Sequence, residues 1–282
     1  MRNYFQKLFI IVVVAFLAAT TQLVFCQDGL KGQIRIKGSE STAWMVDAYA
    51  KEFMKINPNV NIAVSGGQGV GWQAFLNKET EIGMSSRALT DEERAEAAKR
   101  GIGLKEKLIG WGGIVIIVHP QNPVNELTVD QVKKIFNGEC SKWNDVGGLS
   151  QSIDIFTIGE DLPGTLHYMQ KNFLQKSLAP NAITKTFFKG VISGVAEDPA
   201  AASFVRVRNI LQLAEVKKSA EIKVVAVKRD AASPAVLPSR ETVDNGTYPI
   251  TRPYYIYYDE KILGQSGKDF ADFSERKNPR SL

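Results

Sequence analysis

Gln33-Ile34-Arg35-Ile36-Lys37-Gly38-Ser39-Glu40-Ser41-Thr42 passes from a strand pattern to a helix start within ten residues. Apolar and polar residues alternate up to Lys37, the period of a half-buried strand. Ser41 or Thr42 then opens a helix. Its predicted apolar face is Met45, Ala48, Tyr49, Phe53 and Ile56, and Asn57-Pro58 stops it. The same order recurs along the chain. Val60 to Val64 predicts a strand, followed by the glycine loop Ser65-Gly-Gly-Gln-Gly-Val-Gly71 and a helix carrying Trp72, Phe75 and Leu76 on one side. Thr90-Asp-Glu-Glu93 is a capping box for a helix that reaches Arg100 and stops at Gly101. Thr128-Val-Asp-Gln131 caps another, which Gly138 ends. Further strands are predicted over Ile114–Val118, Ile153–Ile158, Lys223–Val227 and Tyr254–Tyr258, and a helix over Thr165–Leu178. Strands alternating with helices argue for an α/β fold. There is no internal repeat and no low-complexity linker.

Three loops share one design: Gly38 to Thr42, Ser65 to Gly71, and Gly159-Glu-Asp-Leu-Pro-Gly-Thr165. Each lies between a strand and a helix and is rich in glycine or hydroxyl residues. A helix N-terminus presents unpaired backbone N–H groups and partial positive charge. Hydroxyls add donors, and glycine lets a ligand approach the backbone. Three such ends in one cleft would bind an anion. Met84-Ser85-Ser86-Arg87 adds a guanidinium, the side chain best shaped for oxyanion oxygens. The candidate ligand-binding residues are therefore Ser39, Glu40, Ser41, Gln68, Gly69, Ser85, Ser86, Arg87, Asp161, Gly164 and Thr165. Each piece alone has an ordinary structural reading, as N-cap, turn residue or solvated surface charge. The glycine loop is no nucleotide P-loop, because Lys-Ser/Thr does not follow its last glycine.

The chain has 282 residues, 35 basic and 30 acidic, with a net charge of +5. Arg2 and Lys7 precede an apolar run from Leu8 to Ala19, a pattern that predicts a secretory signal peptide over residues 1–26. The run is shorter than the ~20 residues of a spanning helix. Removing that segment leaves a charge of +3, too small an excess to argue for nucleic acid. The expected location is periplasmic or secreted, with a lipoprotein acylated on Cys26 as the alternative. Only Cys140 would then remain, so no internal disulfide is expected. The two histidines, His119 and His167, have no partners at metal-ligand spacing. No metal and no cofactor are expected.

In order and spacing, a set of segments resembles the phosphate-binding, PstS-like proteins of bacterial phosphate uptake. The set includes Ile36-Lys-Gly-Ser-Glu-Ser41, Asn57-Pro-Asn-Val60, Ser65 to Gly71 and Glu81-Ile-Gly-Met-Ser-Ser-Arg-Ala-Leu89. It continues with Gly113 to Pro123, Ile135-Phe-Asn-Gly138, Trp143-Asn-Asp-Val-Gly-Gly148 and Asn245-Gly-Thr-Tyr-Pro-Ile-Thr-Arg-Pro253. The resemblance covers residues 33–260. It implies a type II periplasmic-binding fold, two α/β lobes joined by crossing strands, with lobe 1 over 34–113 plus 254–282 and lobe 2 over 114–253. It implies capture of inorganic phosphate or a similar oxyanion, delivery to the membrane permease of an ABC importer, a monomer, and no catalysis. The departures lie in the site. The family's third loop usually carries an arginine and Ser-Gly-Thr, where this chain has Gly159 and Pro163-Gly164-Thr165. Gln68 replaces a usual serine, and Ala201-Ala-Ser-Phe204 stands for Ala-Ile-Gly-Tyr. With the third-loop arginine gone, Arg87 is expected to be the only arginine of the cleft. The alternatives are a binder of another anion, a sensor, a surface protein that kept the fold without the site, and a secreted phosphatase. Against the last, no nucleophile has a convincing general base, and His167 is expected on a helix surface.

Overall fold

The computed structural model describes residues 30–67, 70–159, 163–210 and 221–280. The predicted signal segment, with Cys26, lies outside them, as do the candidates Gln68, Gly69 and Asp161. The first region runs β1 (Gly32–Gly38), α1 (Glu40–Ile56), β2 (Val60–Gly66), α2 (Val70–Leu76), β3 (Ile82–Ser85) and α3 (Asp91–Lys99). β4 (Leu104–Val118) leads into β5 (Glu126–Thr128), α4 (Val129–Phe136), β6 (Asp154–Ile158), α5 (Pro163–Tyr168), β7 (Ile183–Lys185), α6 (Phe188–Glu197) and β8 (Ala201–Arg206). The chain ends with β9 (Lys223–Lys228), α7 (Arg240–Asp244), β10 (Thr251–Asp259) and α8 (Gln265–Arg276).

Strand order is β2-β1-β3-β10-β4-β8-β6-β7, with β9 also paired to β4 and β5 to β9. β1 pairs in parallel with β2 and β3, and β6 in parallel with β7 and β8. Two antiparallel strands join these halves. β10 runs beside β3 and beside the first part of β4, and the second part of β4 runs beside β8 and β9. β4 changes partners at Gly112-Gly113-Ile114: Gly112 pairs with Arg252 and Gly113 with Thr251, but Ile114 pairs with Arg206. This is the two-lobed α/β architecture expected, joined by crossing strands.

Burial explains the division. Ile34, Ile36, Val46, Phe53, Ile82 and Phe270 share one core. Ile114, Ile116 and Val118 pack into a second core with Val132, Phe136 and Trp143, while Val115 and Ile117 face a third with Val191 and Val195. Alternate residues of β4 thus enter cores on opposite faces of one sheet. That is why Ile114 to Val118 reads as an unbroken apolar run. The first part of β4 is more polar, which hid it: the strand is 15 residues long, not five.

Both capping boxes form. Thr90 and Glu93 exchange hydrogen bonds, as do Thr128 and Gln131. Gly101 and Gly138 follow at φ +71° and +83°, where glycine is favoured. Two expectations need correction. The buried face of α1 is Met45, Val46, Ala50 and Phe53, whereas Ala48 and Ile56 are exposed. Helical spacing from Val46 through Ala50 to Phe53 keeps one stripe facing the sheet, and Ile56 falls off its end. The helix predicted over Thr165–Leu178 is α5 continued by a π-helical turn over Met169–Leu174, stopped by Gln175 at φ +55°. Beyond α8, the Arg280 Nε donates to Asp244 O at 3.0 Å, and its guanidinium lies 4.0 Å from the Trp111 ring centre. The C-terminal arm thereby ties α7 to the crossover segment of β4.

Gly83 places β3 against β10 at a distance only glycine permits. A Cβ there would sit 2.0 Å from the ring of Tyr257, which is 2% exposed. Gly83→Ala should therefore cost ~1–3 kcal/mol by overpacking. Urea unfolding should show a lower midpoint at unchanged slope; a midpoint equal to the native one would show that Tyr257 yields freely.

Candidate anion site

In the first lobe, main-chain bonds lash three loops together. Ser39 N donates to Met84 O at 3.0 Å, and Gly67 N to Gly38 O at 2.9 Å. Gly38 has φ +151°, and a Cβ on it would meet Met84 O at 2.0 Å, so a side chain there would push the loops apart. These bonds bring Ser39 and Ser41, at the start of α1, beside Ser85 and Ser86, at the end of β3. Ser39 Oγ donates to Ser86 Oγ at 3.3 Å. Ser39 is the N-cap residue, yet its side chain makes no capping bond, so its hydroxyl stays with the cleft. Ser41 is 2% exposed and lines the same cleft.

The second lobe supplies Gly164 and Thr165. A Cβ on Gly164 would lie 2.7 Å from Ser41 Oγ, so this loop closely faces the start of α1. Arg252 props it from behind: Nη1 donates to Gly164 O at 2.9 Å and Nη2 to Thr165 Oγ1 at 3.4 Å. Arg252 is completely buried, its guanidinium between the Tyr168 and Tyr254 rings at 5.9 and 5.5 Å. Tyr168 Oη donates to Thr251 O at 2.9 Å, which fixes α5 to β10 as well.

These groups line one cavity of about 400 Å³. Of the sequence candidates, Ser39, Glu40, Ser41, Ser85, Ser86, Arg87, Gly164 and Thr165 all border it. Its remaining wall is largely apolar, with Ile158, Phe188, Val191 and Phe204 on the second-lobe side. Glu40 is solvent-exposed and forms no ion pair among the described residues. Arg87 is committed elsewhere. Its Nη1 and Nη2 fork onto Glu93 at 2.8 and 2.9 Å, and Nη1 also donates to Ala88 O. Burial works against the Glu93 carboxylate, but hydrogen bonds from Arg87 and from Thr90 N outweigh it and hold its pKa below the usual range.

The expectation that Arg87 is the only arginine of the cleft does not hold. Arg206, the last residue of β8, lines it too. Its Nε donates to Asn209 Oδ1 at 3.3 Å, and no described carboxylate pairs with it. Desolvation and the nearby Arg252 both pull its pKa down from the ordinary arginine value. The signal for Arg206 was faint: a single charged residue directly after an apolar strand run. His167 is exposed, as expected, but also borders the cavity. Burial, then Arg87 and Lys171, push its imidazole downward, so it is neutral at pH 7 and adds no charge. Among the described residues it has no carboxylate partner, and no His, Cys, Asp or Glu group could hold a metal.

The PBP superfamily domain matches residues 27–277. The chain belongs to the PBP superfamily. Within it, the chain is similar to the phosphate-binding protein PstS of Staphylococcus haemolyticus, 27% identical over 254 residues that cover 87% of this chain and 77% of that protein. It is also similar to the protein SphX of Synechococcus elongatus, at 29% identity over 84% of this chain and 71% of that one. Among solved structures, an ABC-type phosphate transport receptor from Vibrio cholerae superposes with a TM-score of 0.68 at 23% identity, over 86% of this chain and 94% of that one. A putative phosphate ABC transporter substrate-binding protein from Clostridium perfringens, with bound phosphate, gives 0.63 at 28% identity, over 86% and 92%.

In this PBP superfamily member the Arg87–Glu93 pair makes a prediction about acid stability. A carboxylate whose folded pKa is depressed stabilises the fold fully above the unfolded pKa, ~4.3 for Glu. That contribution is lost as pH falls through the lower folded value. Glu93→Gln should lower the melting temperature at pH 7 and flatten its fall between about pH 5 and pH 3. An unchanged acid limb would show that the pair carries no net stability.

Proposed function

We propose that this chain captures inorganic phosphate between its two lobes and delivers it to the membrane permease of an ABC importer. The observation that carries the reading is convergence. Hydroxyls of Ser39, Ser41, Ser85 and Ser86 from one lobe and Gly164-Thr165 from the other border one cavity, which Arg206 also lines, while Arg252 stands behind it on Gly164 O. The names borne by the relatives support phosphate as the ligand. The lobes are assigned to 34–113 plus 254–282 and to 114–253. The protein acts as an exported monomer, released after signal cleavage, and it binds without catalysis. Among the described residues no helix is long and apolar enough to cross a membrane.

Phosphate is told from sulfate by its proton. Hydrogen phosphate donates to a carboxylate acceptor, Glu40 or Asp161, whereas sulfate has no proton to give at neutral pH. Once the closing lobes enclose it, an acceptor left unsatisfied penalises the wrong anion. Calorimetry on the purified mature chain should therefore show phosphate and arsenate binding and no sulfate binding. At 100 times Kd, phosphate should stabilise the fold by ~2.7 kcal/mol, and small-angle scattering should show compaction as the lobes close. Sulfate bound as tightly as phosphate would overturn the discrimination. Absence of phosphate binding, or turnover of a chromogenic phosphate ester, would overturn the reading itself.

A further inference from the structure

Arg206 sits where the two lobes meet. It ends β8 opposite Ile114 of β4, and Arg252 of β10 lies opposite Gly112 of the same strand. Two guanidinium groups thus flank the crossover two residues apart in register. Arg252 is fully buried and Arg206 is partly so, and neither makes an ion pair among the described residues. Glu40, across the cleft, attracts Arg206 but lies beyond ion-pair distance. Like charges withdrawn together from water repel, and a buried charge without a counter-charge is among the most unfavourable features a fold can carry. An arrangement of this kind calls for an anion.

The geometry divides the two arginines by role. Arg252 gives both terminal nitrogens to Gly164 O and Thr165 Oγ1, inside the protein. Arg206 uses only Nε, on Asn209 Oδ1, and its two terminal nitrogens have no acceptor among the described residues. Asn209 is 8% exposed and borders the cavity with Arg206, so their hydrogen bond anchors the guanidinium at the cavity wall. Arg87 is less available, because Glu93 and Ala88 O take both hydrogens of Nη1 and one of Nη2 and leave it only Nε–H and one Nη2–H. Resting on the oxyanion-capture reading above, we propose that Arg206 is the guanidinium that contacts the captured oxyanion. In this scheme Asn209 positions Arg206, Arg252 is a fixed charge behind it, and Arg87 is a structural strut.

The test compares Arg206→Gln and Arg206→Lys with Arg208→Gln. Arg208 lies two residues on, over the Trp44 ring at 5.1 Å, so its loss removes the same charge without touching the cavity. Phosphate titrated calorimetrically into each protein should bind at least ~10-fold more weakly to Arg206→Gln, as expected for losing a charged hydrogen bond. Arg206→Lys should fall between, since lysine keeps the charge but loses the fork. Arg208→Gln should stay within about threefold of the native protein. The ligand-free melting temperature gives a second readout: relieved of an unpaired charge, Arg206→Gln should melt no lower than the native protein, while its phosphate-induced shift shrinks. Equal phosphate affinity in Arg206→Gln and the native chain would overturn the inference and leave the function standing. If the native chain binds no phosphate, the function reading fails, and a panel of sulfate, arsenate and phosphonoacetate decides separately on Arg206. An anion-induced melting shift present in the native chain and lost in Arg206→Gln supports its role; no shift in either protein overturns it.

Discussion

Arg252 carries the arrangement on which the cleft depends. It has no water contact and no ionic partner among the described residues, yet it holds the Gly164 carbonyl, the Thr165 hydroxyl and two tyrosine rings. A buried guanidinium has few ways to satisfy five N–H donors, so its surroundings are tightly constrained. Because Arg252 stands on β10, the loop that meets Ser41 is fixed to the strand pair that joins the lobes. Tyr168 repeats the tie through Thr251. The same charge biases its neighbourhood: it disfavours a second cation at Arg206 unless a negative group is near.

The strand framework was legible because local signals agreed with the tertiary outcome. The capping boxes at Thr90 and Thr128 and the stops at Gly101 and Gly138 depend on contacts within a few residues, which sequence shows directly. The first part of β4 was missed for the opposite reason. Leu104 to Lys107 is a mixed stretch that becomes a strand because β10 lies beside it, some 150 residues later in the chain. Likewise, the choice between Ala50 and Ile56 as a core residue of α1 depends on where the sheet ends, a fact about packing rather than periodicity.

The site divides along the same line. Loop residues at the ends of strands could be named from sequence, since a glycine or serine there has few other uses than a turn, a cap or a ligand contact. Ser39 and Ser41 meet Gly164 as that reasoning expected. Charge could not be assigned in this way. Arg87 followed two serines and looked poised for an anion, but Glu93, six residues on, completes both a capping box and a fork with it. One carboxylate satisfies two local demands, so the arginine is held against α3. Arg206 gave no comparable sign, because its environment is assembled from β4, β10 and the helical residues 207–210.

The placement of charge bears on how a two-lobed cleft can close. Rotation about the crossing strands displaces least whatever lies beside the axis. Arg206 and Arg252 flank β4 where it changes partners, so in the proposed closure they would move least, while Ser39, Ser41, Ser85 and Ser86 would travel with the first lobe as neutral donors. A cationic centre at the hinge lets long-range attraction act on an anion whether the lobes are open or shut. The hydroxyls add short-range bonds only when the lobes meet. In such an arrangement charge governs entry and the neutral donors govern closure, because only the latter differ between the two states; a ligand can shift the balance only through contacts that differ between them.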